Sequence, residues 1–200
     1  AASDVYKRQT LDEIKATEES FINAALLSEK AGFDGMEVHS AHGYLLCQFL
    51  SSDINRRDDE YGGALENRTR IVDNIIGGIK QVCGSSFSLA LRLSPTRFGV
   101  QIEEIVAYYE RLCAAGTLDF IDMSLWDVFQ EVDEGTFKGR RLVDIFAQLE
   151  RNETKLTVAG KINTGDDVKN VLASGVDFVA LGRAGILHHD WPQQFSRNQD

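Results

Sequence analysis

KLTVAGKINTGDDVKNVLASGVDFVALGR, residues 155–183, holds one complete strand–helix–strand unit. Lys155 to Val158 reads as a strand, Thr164 caps a helix running to Ser174, Gly175 stops that helix, and Phe178 to Leu181 is the next strand. The same alternation extends upstream. Thr10 with Glu13 three residues on forms a capping box, followed by Ile14, Phe21 and Ala25 at helical spacing and by Gly32 as a stop. Asp34 to His39 is a short strand pattern, and a long polar stretch to Asn67 precedes a helical pattern from Arg68 to Val82. Then come a strand at Phe87 to Leu93, a helix at Gln101 to Ala115 closed by Gly116, a strand at Phe120 to Met123 and a helix at Leu142 to Arg151.

Five strands alternating with helices demand an α/β fold with a parallel sheet and right-handed crossovers, either open and doubly wound or closed as a barrel. The positions of the unusual residues favour the barrel. His39, Arg92, Ser124, Gly160 and Gly182 each sit at or just past the C-terminal end of a strand, where a (β/α)8 TIM barrel assembles its site. A whole barrel has eight strands and ~250 residues, so the expectation for these 200 residues is a partial barrel spanning residues 10–200. The first nine, AASDVYKRQ, carry no apolar period and read as a tail or scar outside the domain.

Composition narrows the class. With 43% apolar and 26% charged residues, two prolines and no apolar run near the ~20 residues that cross a bilayer, the chain reads as one globular domain without a membrane span. Asp4, Lys7, Arg8 and Asp12 interrupt any secretory h-region, and a cytoplasmic location is expected. The balance of 21 basic against 31 acidic side chains, a net charge of −10, repels phosphate backbones, and no basic groove offsets it, so no nucleic acid partner is expected. Cys47, Cys83 and Cys113 are odd in number and widely spaced, as in reduced proteins rather than disulfide or zinc frameworks. The sequence leaves a homo-oligomer open.

Chemistry concentrates in a few places. HSAHGY, His39 to Tyr44, sets two imidazoles and a phenol directly after a strand. A metal would need a third ligand that this loop does not supply. Paired donors aimed at one substrate oxygen, with a phenol placed to give a proton, account better for these residue types. His188 and His189 read as exposed loop. Arg92 alternates with Leu91 and Leu93, so it points away from them into the barrel mouth, toward either a structural carboxylate or an electron-rich ligand. Gly160 and the pair Gly182-Arg183 follow the last two strands and precede helix-forming segments. Each could be an ordinary turn; together they point to a phosphate site built from backbone N–H groups and a bidentate cation. The charged stretch from Asn55 to Arg70 reads, in isolation, as a solvated loop entering a helix.

Taken together, GFDGMEVHSAHGYLLCQFLSSDINRRDDEYGGALENRTR, residues 32–70, closely resembles the signature segment of the old yellow enzyme family of FMN-dependent NAD(P)H:flavin oxidoreductases and ene-reductases. The resemblance continues through LALRLSP, FIDMSLW, VAGKI and VALGRA, from Thr10 to Pro192. It implies a flavin-bearing barrel of which this chain supplies the fourth to eighth strands, the first three being absent. It further implies that His39 and His42, in the His-His form of the motif, bind the oxygen of a small-molecule substrate and that Tyr44 donates a proton. Arg92 would lie at the pyrimidine edge of FMN, and Gly160, Gly182 and Arg183 would hold its phosphate. The activity implied is hydride transfer from NAD(P)H through the flavin to an electron-poor alkene. A flavin-binding fragment without turnover and a non-catalytic interaction fragment with exposed sheet edges are the alternatives.

Overall fold

In a computed structural model, residues 9–197 are described. The expected tail, residues 1–9, lies outside them except for Gln9, whose carbonyl accepts a hydrogen bond from Arg57 Nη1 at 2.8 Å. The elements run α1 (Leu11–Lys30), β1 (Gly35–Ser40), α2 (Leu45–Leu50), α3 (Leu65–Val82), β2 (Ser88–Leu93), α4 (Ile102–Ala115) and β3 (Phe120–Ser124). They continue with α5 (Leu142–Ala147), β4 (Lys155–Ala159), α6 (Gly165–Ala173), β5 (Phe178–Ala180), α7 (Arg183–Leu187) and α8 (Trp191–Arg197). All strand pairs are parallel and the order is β1-β2-β3-β4-β5. Sequential order, without the reversal that defines a doubly wound sheet, is the order of a barrel wall.

Local signals explain the boundaries. Both halves of the capping box at Thr10 and Glu13 are formed, and a second one joins Thr164 to Asp167 at α6. Gly116 closes α4 in the left-handed conformation. Three expectations change. The stretch read as polar after β1 contains α2, whose Leu46, Cys47, Phe49 and Leu50 are buried. α5 stops at Ala147 rather than Arg151: Leu149 N–H bonds the Phe146 carbonyl at 3.4 Å in a tightened last turn, and the chain then passes a left-handed Asn152 whose side-chain amide donates to the Cys113 carbonyl at 3.3 Å. The segment from Asn55 to Arg70 is pinned rather than solvated. Asn55 donates to the carbonyls of Phe49 and Tyr61, and buried Arg68 reaches the Leu50 carbonyl and forks onto Glu104.

The two faces of the sheet differ in kind. Val38, Leu89, Leu91, Leu93, Ile121, Met123, Leu156 and Val158 are fully buried in one core with Ile71, Ile75, Ile79, Ile105, Tyr109 and Phe146 from the helices. Side chains alternate along a strand, so the intervening residues line the opposite, inner face. Registered there side by side are His39, Arg92, Asp122 and Thr157. The apolar helix-facing side holds the sheet together, and the polar inner side is left for chemistry.

Candidate active site

β1 carries His39 onto the inner face, and the chain then turns sharply through His42 (φ 60°) and Gly43 (φ 73°) before Tyr44 opens α2. A left-handed histidine is costly without surrounding restraint. Two serines supply it: Ser94 Oγ accepts the His42 backbone N–H at 3.1 Å, and Ser124 Oγ lies 2.6 Å from His42 Nε2. The turn gathers the motif residues into one cluster. Ring centroids are 5.1 Å apart for His39 and His42 and 5.5 Å for His39 and Tyr44, while Phe98 meets His42 edge-on at 6.4 Å. Tyr44 is 65% exposed, so its phenol is free to meet a ligand. Desolvation, then the Arg92 charge, lowers both imidazole pKa values, and His39 adds to the effect at His42. Each ring is therefore neutral near pH 7 and carries one N–H donor.

Arg92 does project from the inner face, and its Nε lies 3.1 Å from Asp122 Oδ2. The carboxylate partner left open by the sequence is thus present. The pair is imperfect, since Arg92 Nε, Asp122 Oδ1 and neighbouring Thr157 Oγ1 are buried without a hydrogen-bond partner. Glu37, two residues before His39 on the same face, is raised to about 7 by desolvation and by the Asp122 carboxylate, with Arg92 opposing. Asp122 is also raised by burial, although the Arg92 charge and the neighbouring Glu37 carboxyl hold it down. Sequence reasoning put Ser124 at a site-forming strand end without giving it a role, and missed Glu37, Asp122 and Ser94; the alternation in FIDMS, which puts Asp122 beside Arg92, was the available signal.

Beside this cluster lies an open cleft of about 360 Å³ whose walls include Ser124, Trp126, Gly160, Lys161, Gly182 and Arg183. The three residues expected to hold a phosphate therefore meet in one place, but the glycines do different things. Gly160 (φ 152°) packs so tightly that a Cβ there would sit 2.8 Å from the Trp126 carbonyl carbon and 3.0 Å from the Asp127 nitrogen. A Cβ on Gly182, at the start of α7, would meet nothing within 4 Å. Arg183 is exposed and has no side-chain partner among the described residues, whereas Lys161 is paired with Asp127 at 3.0 Å. Trp126 (φ 62°) stands at the cleft with the Arg97 guanidinium 4.3 Å over its ring. Ser124 belongs to both places, touching His42 and lining the cleft, so cluster and cleft form one site. His188 and His189 are exposed, and no group of three or more metal-ligating side chains occurs among the described residues.

Comparison with known proteins gives this arrangement a context. The family described as NADH:flavin oxidoreductase / NADH oxidase matches over residues 1–200. The chain is 33% identical over 198 residues to an NADPH dehydrogenase of Geobacillus thermodenitrificans, covering 96% of this chain and 56% of that protein. It is 33% identical over 193 residues to an NADH oxidase of Thermoanaerobacter brockii, covering 92% of this chain and 30% of that protein. The old yellow enzyme homologue from Zymomonas mobilis superposes with a TM-score of 0.80 at 28% identity, over 98% of this chain and 56% of that one. Morphinone reductase in complex with tetrahydroNAD superposes with a TM-score of 0.77 at 28% identity, over 97% and 52%. The sheet is thus part of a TIM barrel, as expected, and the chain spans about half the length of the solved relatives it matches.

Proposed function

Because the chain belongs to the NADH:flavin oxidoreductase / NADH oxidase family, we propose that its protein binds FMN and reduces an electron-poor alkene such as an enone at the expense of NAD(P)H. The observation that carries this reading is the junction at Ser124 of the His39, His42 and Tyr44 cluster with the Gly182–Arg183 cleft. The cleft suits a phosphate. Arg183 has no side-chain partner among the described residues, the backbone at Gly182 is open to close approach, and a volume of about 360 Å³ accommodates a small ligand. Gly182 and Arg183 would hold the phosphate, Gly160 would shape the wall, and Arg92, paired through Nε with Asp122 on the inner face, would present its guanidinium to the flavin ring system.

Bound FMN would supply hydride exchange, accepting hydride from NAD(P)H and delivering it to the β-carbon of the alkene. His39 and His42, each with one N–H, donate to the carbonyl oxygen of the substrate. Those bonds strengthen as enolate charge develops there, which lowers the barrier rather than merely tightening binding. Tyr44, exposed beside His39, gives its phenolic proton to the α-carbon. A small molecule is the partner this site takes. The net charge of −10 opposes nucleic acid, and a cytoplasmic location agrees with three unpaired cysteines. The test uses protein expressed from its complete reading frame. It should purify with a flavin spectrum and oxidise NADPH or NADH when cyclohexenone is added, with His39→Ala or His42→Ala lowering enone turnover by ~10² or more. A flavin spectrum without enone-dependent turnover would instead indicate a binding module, and absence of flavin would overturn the proposal.

A further inference from the structure

Ser124 ends β3 on the inner face, and its hydroxyl oxygen lies 2.6 Å from Nε2 of His42, a residue 82 positions away in sequence. Ser94, just past β2, holds the backbone of the same histidine at 3.1 Å. A neutral imidazole keeps its proton on one nitrogen, and the group bonded to the other decides which. Either Nε2–H donates to Ser124 and leaves a bare Nδ1, or the serine O–H donates to Nε2 and the proton resides on Nδ1.

One observation chooses the second arrangement. The Ser124 hydroxyl, 2.6 Å from Nε2, has no other side-chain or backbone acceptor among the described residues, so its proton has Nε2 as its protein acceptor. Burial and the Arg92 charge keep the ring from taking a second proton near pH 7, so the choice between nitrogens is a real one.

We propose that Ser124 is a positioning residue whose hydroxyl donates to Nε2 of His42 and fixes the Nδ1–H tautomer, leaving Nδ1–H as the one free donor of that ring. In the opposite tautomer the only ring proton would be spent on Ser124, and a substrate oxygen approaching Nδ1 would meet a lone pair. The tautomer stands on the contact itself; its effect on turnover rests on the proposed role of His42 at the substrate oxygen.

Imidazole nitrogen NMR separates these two claims. The protein is labelled with 15N-histidine, and His42→Gln identifies the His42 signals among the four histidines. Wild-type His42 should show a pyrrole-type Nδ1 and a pyridine-type Nε2 near pH 7. Ser124→Ala should mix the tautomers, Ser124→Thr should keep them as in wild type, and enone turnover should fall about tenfold or more in the alanine variant and stay near wild type in the threonine variant. A protonated Nε2 in the wild type, or tautomers unchanged in Ser124→Ala, would overturn the inference. A tautomer that follows Ser124 while enone turnover does not would leave the positioning intact and overturn the role given to His42.

Discussion

Gly160 and Gly182 invite the same sequence reading and should respond oppositely to one methyl group. At Gly160 an added Cβ would stand 2.8 Å from the Trp126 carbonyl carbon, with backbone atoms of Trp126 and Asp127 as its other near neighbours. That is roughly 0.7 Å inside a comfortable carbon–carbon contact. The atoms in the way belong to main chain, and the Gly160 carbonyl accepts the Val128 N–H at 3.2 Å, so the strand-end loops cannot separate freely. Overpacking of this kind, with φ of 152° adding conformational strain, should cost about 2–4 kcal/mol. In a protein of this size, that loss lowers the Tm by about 5 to 15 °C. A Cβ at Gly182 meets nothing within 4 Å, so the added methyl brings no clash and stability should fall less than at Gly160. That methyl would instead stand at the proposed phosphate position and weaken FMN. Thermal melts of the apoprotein and flavin titration by fluorescence, run on both variants, read the two effects separately. A Gly160→Ala protein that melts with the wild type would refute the packing argument, and a Gly182→Ala protein with unchanged flavin affinity would move the phosphate elsewhere.

Arg183→Ala should weaken FMN about 10- to 100-fold, the ~1.5–3 kcal/mol of a charge-assisted contact, with the melting temperature little changed; flavin titration reads it, and full retention would place the phosphate on other groups. Arg68→Ala strips the partner from Glu104 and the donors from the Leu50 and Gly63 carbonyls, and should cost about 3 kcal/mol in denaturant unfolding, the low end for a buried pair because Glu104 is partly exposed. Glu37, at about 7 against an ordinary 4.5, binds its proton more tightly in the fold, so its favourable contribution is complete below pH 4.5 and is lost as pH rises through 7. Denaturation midpoints of Glu37→Gln should therefore gain on the wild type between pH 4.5 and 8; parallel curves would show that the carboxyl is not perturbed. Tyr44→Phe should lower enone turnover by ~10² or more while stopped-flow flavin reduction by NADPH persists, and the reverse pattern would assign the phenol to the nicotinamide instead.

Local rules written into the chain determined most of the architecture. The Thr10 and Thr164 capping boxes, the glycine stops and the Leu-Arg-Leu alternation are short-range instructions, and five parallel strands formed where they said. The HSAHGY motif was equally legible, because its residues lie within one turn and meet whatever the rest of the chain does. The helix at Leu45–Leu50 was less so, since six apolar-rich residues carry too little period to stand out from a polar stretch.

What only the tertiary structure decided depends on residues distant in sequence. The charged segment after α2 looked solvated until Asn55 and Arg68 were seen satisfying buried carbonyls, contacts that do not exist until the helices pack. Arg92 could have faced a ligand or a carboxylate; strand register set Asp122 beside it. Two glycines with one sequence rationale separated into a packing requirement and an open approach, because a Cβ clash depends on which backbone lies across the loop. The tie between Ser124 and His42 spans three strands of the sheet, from the end of β1 to the end of β3, and no spacing rule within the sequence encodes a hydrogen bond that the curvature and register of the wall create.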